Sequence, residues 1–244
     1  MKLREKNLKI LKNNHVYSEE MEHDACGVGV IVSTEGKKSR TIVEYGIEAL
    51  KAVWHRGAVD ADGKTGDGAG IHLEIPKDFF IEKIEVTGHE HDNSEICVGM
   101  IFLPRNDYSA QETCKTIVES ELTKNNFSIY GWRQVPVNPK ILGEKAFQTM
   151  PEIMQVLFKS NDKNLLDKNL ERKIYETRKK IENKAFQLSL NNFYICSISS
   201  KSIIYKGLYL AEGISDFYLD LKDKRFESRL SLIHISEPTR LRHI

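Results

Sequence analysis

The sequence predicts an α+β fold in which helices pack against β-sheets in layers. Short apolar runs with the β-branched or alternating pattern of strands are interleaved with longer runs that repeat at helical spacing. The chain has 244 residues, of which 40% are hydrophobic, so it can bury a sizeable core. No internal repeat or low-complexity linker divides it. These observations favour one layered domain, because sheets and amphipathic helices each bury an apolar face against another element.

The strands are predicted from apolar runs and from the residues that end them. The first run opens a sheet as a buried strand. Pro76 and Pro104 end two later runs, because proline lacks the N–H that a sheet requires. Ser200 and Lys201 form the expected turn between the last two strands, which are predicted to pair. The predicted strands span residues 26–33, 71–75, 96–103, 127–137, 153–158, 193–199 and 202–210.

The helices are predicted from apolar positions three or four residues apart. Ser39 is a suitable N-cap for the first helix, in which Ile42, Ile47 and Leu50 share one side. The last helix is rich in lysine and glutamate, which form a solvated face. The predicted helices span residues 39–54, 109–124 and 162–187, with polar loops at 55–70 and 85–95.

The charge balance excludes several classes of partner. Lysine and arginine total 36 against 35 for aspartate and glutamate, so no overall field attracts nucleic acid or an anionic membrane. No apolar run approaches the roughly 20 residues of a membrane helix. The sequence therefore predicts neither a nucleic-acid nor a membrane partner.

The four cysteines are Cys26, Cys97, Cys114 and Cys196, and no two of them form a Cys-x-x-Cys pair. A zinc site or a disulfide framework is therefore not indicated. Scattered cysteines in a chain of this size suit a reducing compartment, so the expected localisation is cytoplasmic.

Cys26 opens the first strand and is flanked by Gly27 and Gly29 at its carboxyl side. A single cysteine in such a run is most simply a small core residue. The two glycines lack a Cβ, however, so backbone or a ligand can approach closely beside the thiol. The residues themselves leave both interpretations open.

Three motifs in order give a specific signal: Asp-Ala-Cys-Gly-Val-Gly at 24–29, His-Arg-Gly-Ala at 55–58 and Asp-Gly-Lys-Thr-Gly-Asp-Gly-Ala-Gly at 62–70. Together they resemble the start of the glutamate synthase large subunit, which is a class II glutamine amidotransferase domain. The resemblance runs from about residue 24 to about 234 and is strongest before residue 80. It implies a four-layer αββα N-terminal-nucleophile hydrolase fold, incomplete at its C-terminus.

The resemblance also implies a division of the chain and a catalytic residue. Residues 1–25 would be a propeptide, 26–234 the amidotransferase domain and 235–244 a divergent tail of foreign origin. Cleavage before Cys26 would free its amine, whose pKa near 8 suits a base that activates the neighbouring thiol. Without the resemblance, residues 1–25 are simply a frayed leader, since they lack the apolar core of a signal peptide.

The implied reaction is hydrolysis of glutamine to glutamate and ammonia. In the full enzyme of the family the ammonia aminates 2-oxoglutarate with the help of FMN and an iron–sulfur cluster. No cofactor is expected in this segment. The implied partners are glutamine, the remaining domains of the large subunit and a small subunit or ferredoxin.

Arg56 has a structural and a functional interpretation. As a structural residue it would pair with an acid near the end of the first helix. The resemblance instead implies that Arg56 belongs to a loop that closes over glutamine, which makes it a substrate-binding residue.

The glycine-rich run at 62–70 does not match a phosphate-binding loop, because it lacks the complete Gly-x-x-x-x-Gly-Lys-Ser/Thr pattern and precedes a strand. Its aspartates lack the glutamate spacing of a calcium loop. The run at 89–92, His-Glu-His-Asp, has no closed ligand set, so we expect an exposed loop and no metal. The glycine-rich run is best interpreted as a tight turn beside the active site.

The oxyanion donors and the residues that grip the glutamine backbone lie, in the family, beyond the point where this sequence diverges. The expectation is therefore that this polypeptide alone is nearly inactive. Two alternatives stay open: a non-catalytic glutamine-sensing or regulatory module of the same fold, and another class II amidotransferase or a glutaminase.

Overall fold

The computed structural model describes residues 2–14 and 26–236. Residues 1 and 15–25 of the expected propeptide and residues 237–244 of the expected tail lie outside the described residues. Within the described part, no helix combines the length and the apolarity that crossing a membrane requires.

Helices and strands both make up the described chain, and the strands pair antiparallel, so the α+β class is confirmed. The helices are α1 (Lys2–Asn14), α2 (Arg40–Ala52), α3 (Lys77–Val86), α4 (Tyr108–Lys124), α5 (Glu144–Thr149), α6 (Asp167–Gln187) and α7 (Ile214–Phe217). The strands are β1 (Gly27–Val32), β2 (Ala69–Glu74), β3 (Cys97–Leu103), β4 (Phe127–Gln134), β5 (Glu152–Ser160), β6 (Tyr194–Ser199), β7 (Ser202–Gly207) and β8 (Leu230–Ile235). The expected N-cap Ser39 is confirmed, because its side chain accepts a hydrogen bond from the Ile42 amide at 3.4 Å.

The strands of the described residues form two antiparallel sheets. The first has the order β1-β8-β2-β7 and the second the order β4-β5-β3-β6. Because β8 is the last of the described strands but pairs with both β1 and β2, the first sheet joins the two ends of the described domain.

Two apolar cores flank the second sheet. Met100 of β3 points into the core shared with the first sheet, where Ile71 and Tyr205 are also buried. Ile101, the next residue along β3, points to the opposite face and packs with α4 and α6 around residues such as Val118. This alternation is that of a strand buried on both faces.

The expectation that β1 is a buried strand is wrong for one of its faces. Val28, Val30 and Val32 are 65%, 60% and 56% exposed, whereas Gly27 is buried. The helix α2 packs on the other face of this sheet, where the Ser231 hydroxyl donates a hydrogen bond to the Ile42 carbonyl at 2.8 Å. The glycine face therefore turns inward and the valine face turns outward.

The expectation that β6 and β7 pair with each other is also wrong, because they belong to different sheets. Glu171 of α6 holds the connection between them. Its carboxylate accepts hydrogen bonds from the Ser199 hydroxyl at 2.9 Å and from the Ser200 amide at 2.7 Å. Residues 200–201 thus carry the chain from one sheet to the other instead of closing a hairpin.

Candidate active site

Cys26 lies directly before β1 and is half-buried, with a free thiol. The next residue, Gly27, pairs with Ile235 in β8, and Ile235 also pairs with Ala69 in β2. The thiol is therefore placed at one end of the first sheet, where three strands of that sheet meet.

Arg56 lies beside Gly27, the residue that follows Cys26. A Cβ at Gly27 would stand 3.2 Å from both Cβ and Cγ of Arg56, so the arginine stem covers the backbone of this strand. Arg56 ends the 3-10 turn that follows α2, in which its amide donates to the Val53 carbonyl at 2.9 Å. Within the described residues no acidic side chain pairs with Arg56, which disfavours the structural interpretation of this arginine.

The glycine-rich loop folds back on itself next to this turn. Val59 and Gly66 form an isolated bridge, and the Asp60 amide donates to the Thr65 carbonyl at 2.9 Å. The Asp62 carboxylate accepts hydrogen bonds from the hydroxyl of Thr65, at 2.6 Å, and from its amide, at 2.7 Å. These bonds hold the pKa of Asp62 well below its usual range.

The same loop is fixed to two other segments through glycines. A Cβ at Gly66 would stand 2.5 Å from the Tyr209 carbonyl oxygen, so only glycine permits this approach. A Cβ at Gly143 would overlap the side chains of Asp62 and Thr65. The loop is therefore a tightly packed turn, which agrees with the interpretation drawn from its glycines.

Asp67 connects the glycine-rich loop to the turn that carries Arg56. Its Oδ2 accepts a hydrogen bond of 2.5 Å from the amide of Ala58, two residues after Arg56. The next residue, Gly68, accepts a hydrogen bond of 3.0 Å from the Ser236 amide. Sequence reasoning missed this role of Asp67, and only its position inside the third motif could have indicated it.

A cavity of about 220 Å³ opens beside these elements. Gly57 and Ile235, which adjoin Arg56 and Gly27, form part of its wall. Asp67 and Glu212 supply carboxylates to the lining. Cys26 and Arg56 are not among the residues that line this cavity, although Gly57, which follows Arg56, is.

The other cysteines lie in a different environment. Cys97, Cys114 and Cys196 are buried. Burial raises the pKa of Cys114 to about 11 and that of Cys196 to about 12, and it raises the pKa of Cys97 as well. These three thiols remain protonated and unreactive at neutral pH, whereas Cys26 is accessible.

The described residues contain no group of three or more histidine, cysteine, aspartate or glutamate side chains placed to hold a metal ion. In the run at 89–92, the Asp92 carboxylate forms an ion pair with Lys159 at 2.6 Å. The ring of His91 forms a hydrogen bond with the Ser94 carbonyl at 3.0 Å.

Two comparisons bear on this arrangement. The sequence profile of the family described as glutamine amidotransferases class-II matches residues 26–239. The match starts at Cys26 and includes Arg56 and the glycine-rich loop.

Curated relatives carry the name glutamate synthase. The chain is 52% identical over 228 residues to the glutamate synthase [NADPH] large chain of Azospirillum brasilense, covering 93% of this chain and 15% of that relative. It is 39% identical over 215 residues to ferredoxin-dependent glutamate synthase 1 of Arabidopsis thaliana, covering 87% of this chain and 13% of that relative. Ferredoxin-dependent glutamate synthase 2 of Synechocystis sp. is 36% identical over 214 residues. The chain therefore spans about 15% or less of the length of these relatives.

Proposed function

The chain belongs to the class II glutamine amidotransferase family, and we propose that it carries the glutamine-hydrolysing nucleophile of a glutamate synthase large subunit. The single observation that carries this proposal is the placement of Cys26 at the start of β1 with the Arg56 stem across the next residue. The similarity to the named glutamate synthases supports a glutamate synthase over other class II amidotransferases.

Cys26 is proposed as the catalytic residue. Its thiolate attacks the side-chain amide carbon of glutamine, a C–S bond forms and the carbonyl oxygen takes the negative charge. The α-amine of the same residue collects the thiol proton and passes it to the leaving nitrogen as the C–N bond breaks. Ammonia departs, and water then hydrolyses the γ-glutamyl thioester to glutamate and the free thiol.

This chemistry requires removal of residues 1–25, which we propose as a propeptide. The nitrogen of Cys26 is an amide while the preceding residue is attached, and an amide has no useful basicity. The start of the family match at Cys26 supports the proposed cleavage point. The helix α1 falls inside this proposed propeptide.

Arg56 is proposed as a substrate-binding residue. It is exposed, and within the described residues its guanidinium has no acidic partner. A guanidinium free of internal ion pairs can offer hydrogen bonds to a carboxylate or carbonyl oxygen of a ligand in the adjoining cavity.

The four-layer αββα form of the fold is proposed, with part of it contributed by residues outside this chain. The exposed valine face of β1 continues onto β8 through Leu230 and Leu232, which are 37% and 38% exposed. A contiguous apolar sheet face in water is unfavourable, so a further layer over it is expected.

The proposed domain spans residues 26–234, followed by a divergent tail at 235–244. Ile235, the first residue of that tail, is buried and ends β8, and the family match extends to residue 239. We therefore propose that any foreign sequence begins after the end of β8.

In the whole protein, the released ammonia is proposed to aminate 2-oxoglutarate, in a cytoplasmic enzyme that uses FMN and an iron–sulfur cluster. The described cysteines do not fit the ligand set of an iron–sulfur cluster. Three of the four cysteines are buried with raised pKa values, and the described part holds no metal-binding cluster. These cofactors, and a small subunit or ferredoxin as electron donor, are assigned to the remaining domains.

The test uses the full-length gene product and its Cys26→Ala variant. We expect the mature protein to begin at Cys26, and the variant to lose glutamine-dependent ammonia release while keeping synthesis of glutamate from added ammonia. Glutamine hydrolysis that survives in Cys26→Ala would refute the proposal. A mature protein that keeps Met1 and binds glutamine without hydrolysing it would instead support a glutamine-sensing module.

A further inference from the structure

We propose that Asp67 is a positioning residue that holds Arg56 beside Cys26, so that Arg56 can contact glutamine. The inference rests on the proposed function, in which Cys26 is the nucleophile and Arg56 binds substrate. It assigns to Asp67 an indirect role, through the turn at residues 55–58.

The contact between Asp67 and Ala58 is the first step. The amide of Ala58 donates to Asp67 Oδ2 at 2.5 Å. A hydrogen bond with an ionised acceptor is stronger than one between neutral groups. No backbone carbonyl among the described residues accepts from this amide, so loss of the carboxylate would leave the half-buried donor without its partner.

The backbone on both sides of Asp67 is fixed, which makes the carboxylate a firm anchor. Gly66 is bridged to Val59 and packs against the Tyr209 carbonyl. Gly68 accepts the hydrogen bond from the Ser236 amide, beyond the end of β8. Asp67 is therefore tied to the first sheet and to the loop at the same time.

The turn at residues 55–58, which Asp67 holds, has few other contacts with the rest of the domain on its solvent side. Trp54, His55 and Arg56 are all exposed, and the turn is connected by the Gly57 amide to the Trp54 carbonyl at 3.1 Å. Gly57 contacts Ile235, where a Cβ would stand 3.0 Å from Cγ2. Loss of the anchor at Ala58 would release the turn from one side, and Arg56 would lose its fixed position over Gly27.

The neighbouring aspartates provide a matched control. Asp60 lies in the same loop and forms an ion pair with Lys145 at 2.6 Å, away from the Arg56 turn. Removing either carboxylate changes the net charge of the loop equally. Only Asp67 acts on the Arg56 turn, so the two variants separate positioning from a general charge effect.

The experiment measures glutamine-dependent and ammonia-dependent glutamate synthesis in the full-length enzyme. For Asp67→Ala we expect KM for glutamine to rise about tenfold with a smaller fall in kcat, because a displaced Arg56 weakens ground-state binding. Asp67→Asn keeps an oxygen that accepts from the Ala58 amide, so it should remain within about threefold of the unchanged enzyme. Asp60→Ala and the ammonia-dependent reaction should be unaffected.

A second variant removes the donor instead of the acceptor. Ala58→Pro deletes the N–H, and Gly57 already has the extended conformation that precedes proline, with φ −97° and ψ 152°. Ala58→Pro should raise KM for glutamine as Asp67→Ala does. The test therefore remains possible if Asp67→Ala fails to fold. If Asp67→Asn is as impaired as Asp67→Ala, Asp67 acts through its charge on the substrate, and the positioning role is wrong.

Failure of this inference is distinguishable from failure of the proposed function. If Cys26→Ala abolishes glutamine hydrolysis while Asp67→Ala and Ala58→Pro leave KM unchanged, only the role of Asp67 is refuted. If Cys26→Ala remains active, the proposed function fails first.

Discussion

The stem of Arg56 packs across the backbone of Gly27, so that glycine is the residue through which the 3-10 turn contacts the first strand. A Cβ at Gly27 would lie 3.2 Å from two carbons of Arg56 and 3.7 Å from Val53 Cγ2. These distances leave room for an α-hydrogen but little for a methyl group. The position of the proposed substrate-binding arginine therefore depends on the absence of a side chain beside the nucleophile.

Replacement of Gly27 by alanine should displace Arg56 without unfolding the domain. In the full-length enzyme we expect a rise of about tenfold in KM for glutamine and a change of only a few degrees in Tm. Gly29→Ala is the matched control, since its Cβ would meet Cδ1 and Cγ1 of Ile233 at 3.1 Å, about as closely as at Gly27, and would not approach Arg56. Equal effects of the two variants on KM would contradict the role of the Gly27 contact.

Thiol labelling should distinguish Cys26 from the other cysteines of the chain. Cys26 is half-buried, whereas Cys97, Cys114 and Cys196 are buried, with pKa values raised by desolvation. Because the thiolate is the reactive form, we expect Ellman's reagent at about pH 8 to modify one thiol in the folded chain and all four after denaturation. Cys26→Ser should abolish the reaction of the folded protein. Rapid modification of a second thiol would show that a buried cysteine is accessible.

The sequence pattern predicted an element correctly where the apolar residues and their spacing indicated the same secondary structure. Strand β3 was predicted at 96–103 and helix α4 at 109–124, each within one residue of the observed bounds. In β3 all seven consecutive residues are buried, and in α4 the buried side chains recur at helical spacing. The α+β class was likewise predicted, whereas the roles of Cys26 and Arg56 were indicated by the family resemblance alone and stay predictions.

The remaining features depend on tertiary contacts that a local pattern does not contain. In β1 the glycine face and the valine face are both apolar, and Arg56 and α2 decide which one is covered. Helix α3 was missed because Lys77–Val86 follows Pro76 and has apolar residues on more than one side. The contact between Asp67 and Ala58 joins residues nine apart across a folded loop, and no periodicity signals it.

The ion pair between Arg133 and Asp220 should be important for stability, because it joins β4 to the 3-10 turn Leu219–Lys222 in a buried setting. Its shorter N–O distance is 2.6 Å, and the two side chains are 13% and 2% exposed. The Tyr205 hydroxyl from the first sheet donates to the same carboxylate at 3.1 Å. Asp220→Ala leaves a buried guanidinium unpaired, so we expect a loss of about 3–5 kcal/mol in the free energy of unfolding.

Urea denaturation of the chain measures this loss. The control is Glu176→Ala, which removes an ion pair with Arg172 on the exposed side of α6 and should change the midpoint little. A double variant, Arg133→Met with Asp220→Leu, should recover most of the lost stability, because it removes both charges together. If Asp220→Ala is no less stable than Glu176→Ala, the buried ion pair does not contribute to the stability of the fold.

Arg225 should give the chain a measurable acid sensitivity. Its guanidinium bonds to Asp223, at 2.7 Å, and to Glu82. Hydrogen bonds from Arg225 lower the pKa of Glu82 from 4.5 to about 2 and that of Asp223 from 3.8 to about 2. A carboxylate whose pKa is lower in the folded state stabilises the fold above its unfolded pKa, and this contribution disappears as the pH falls through the folded value.

We therefore expect Arg225→Gln to be less stable than the unchanged chain at neutral pH, with the difference shrinking between pH 4.5 and about 2. The measurement is Tm as a function of pH for both proteins. Arg172→Gln, on the exposed face of α6, serves as the control and should parallel the unchanged chain throughout. A stability difference for Arg225→Gln that persists unchanged at pH 2 would mean that Arg225 acts through packing on Phe79, whose ring centre lies 5.6 Å from its guanidinium carbon, and not through the two carboxylates.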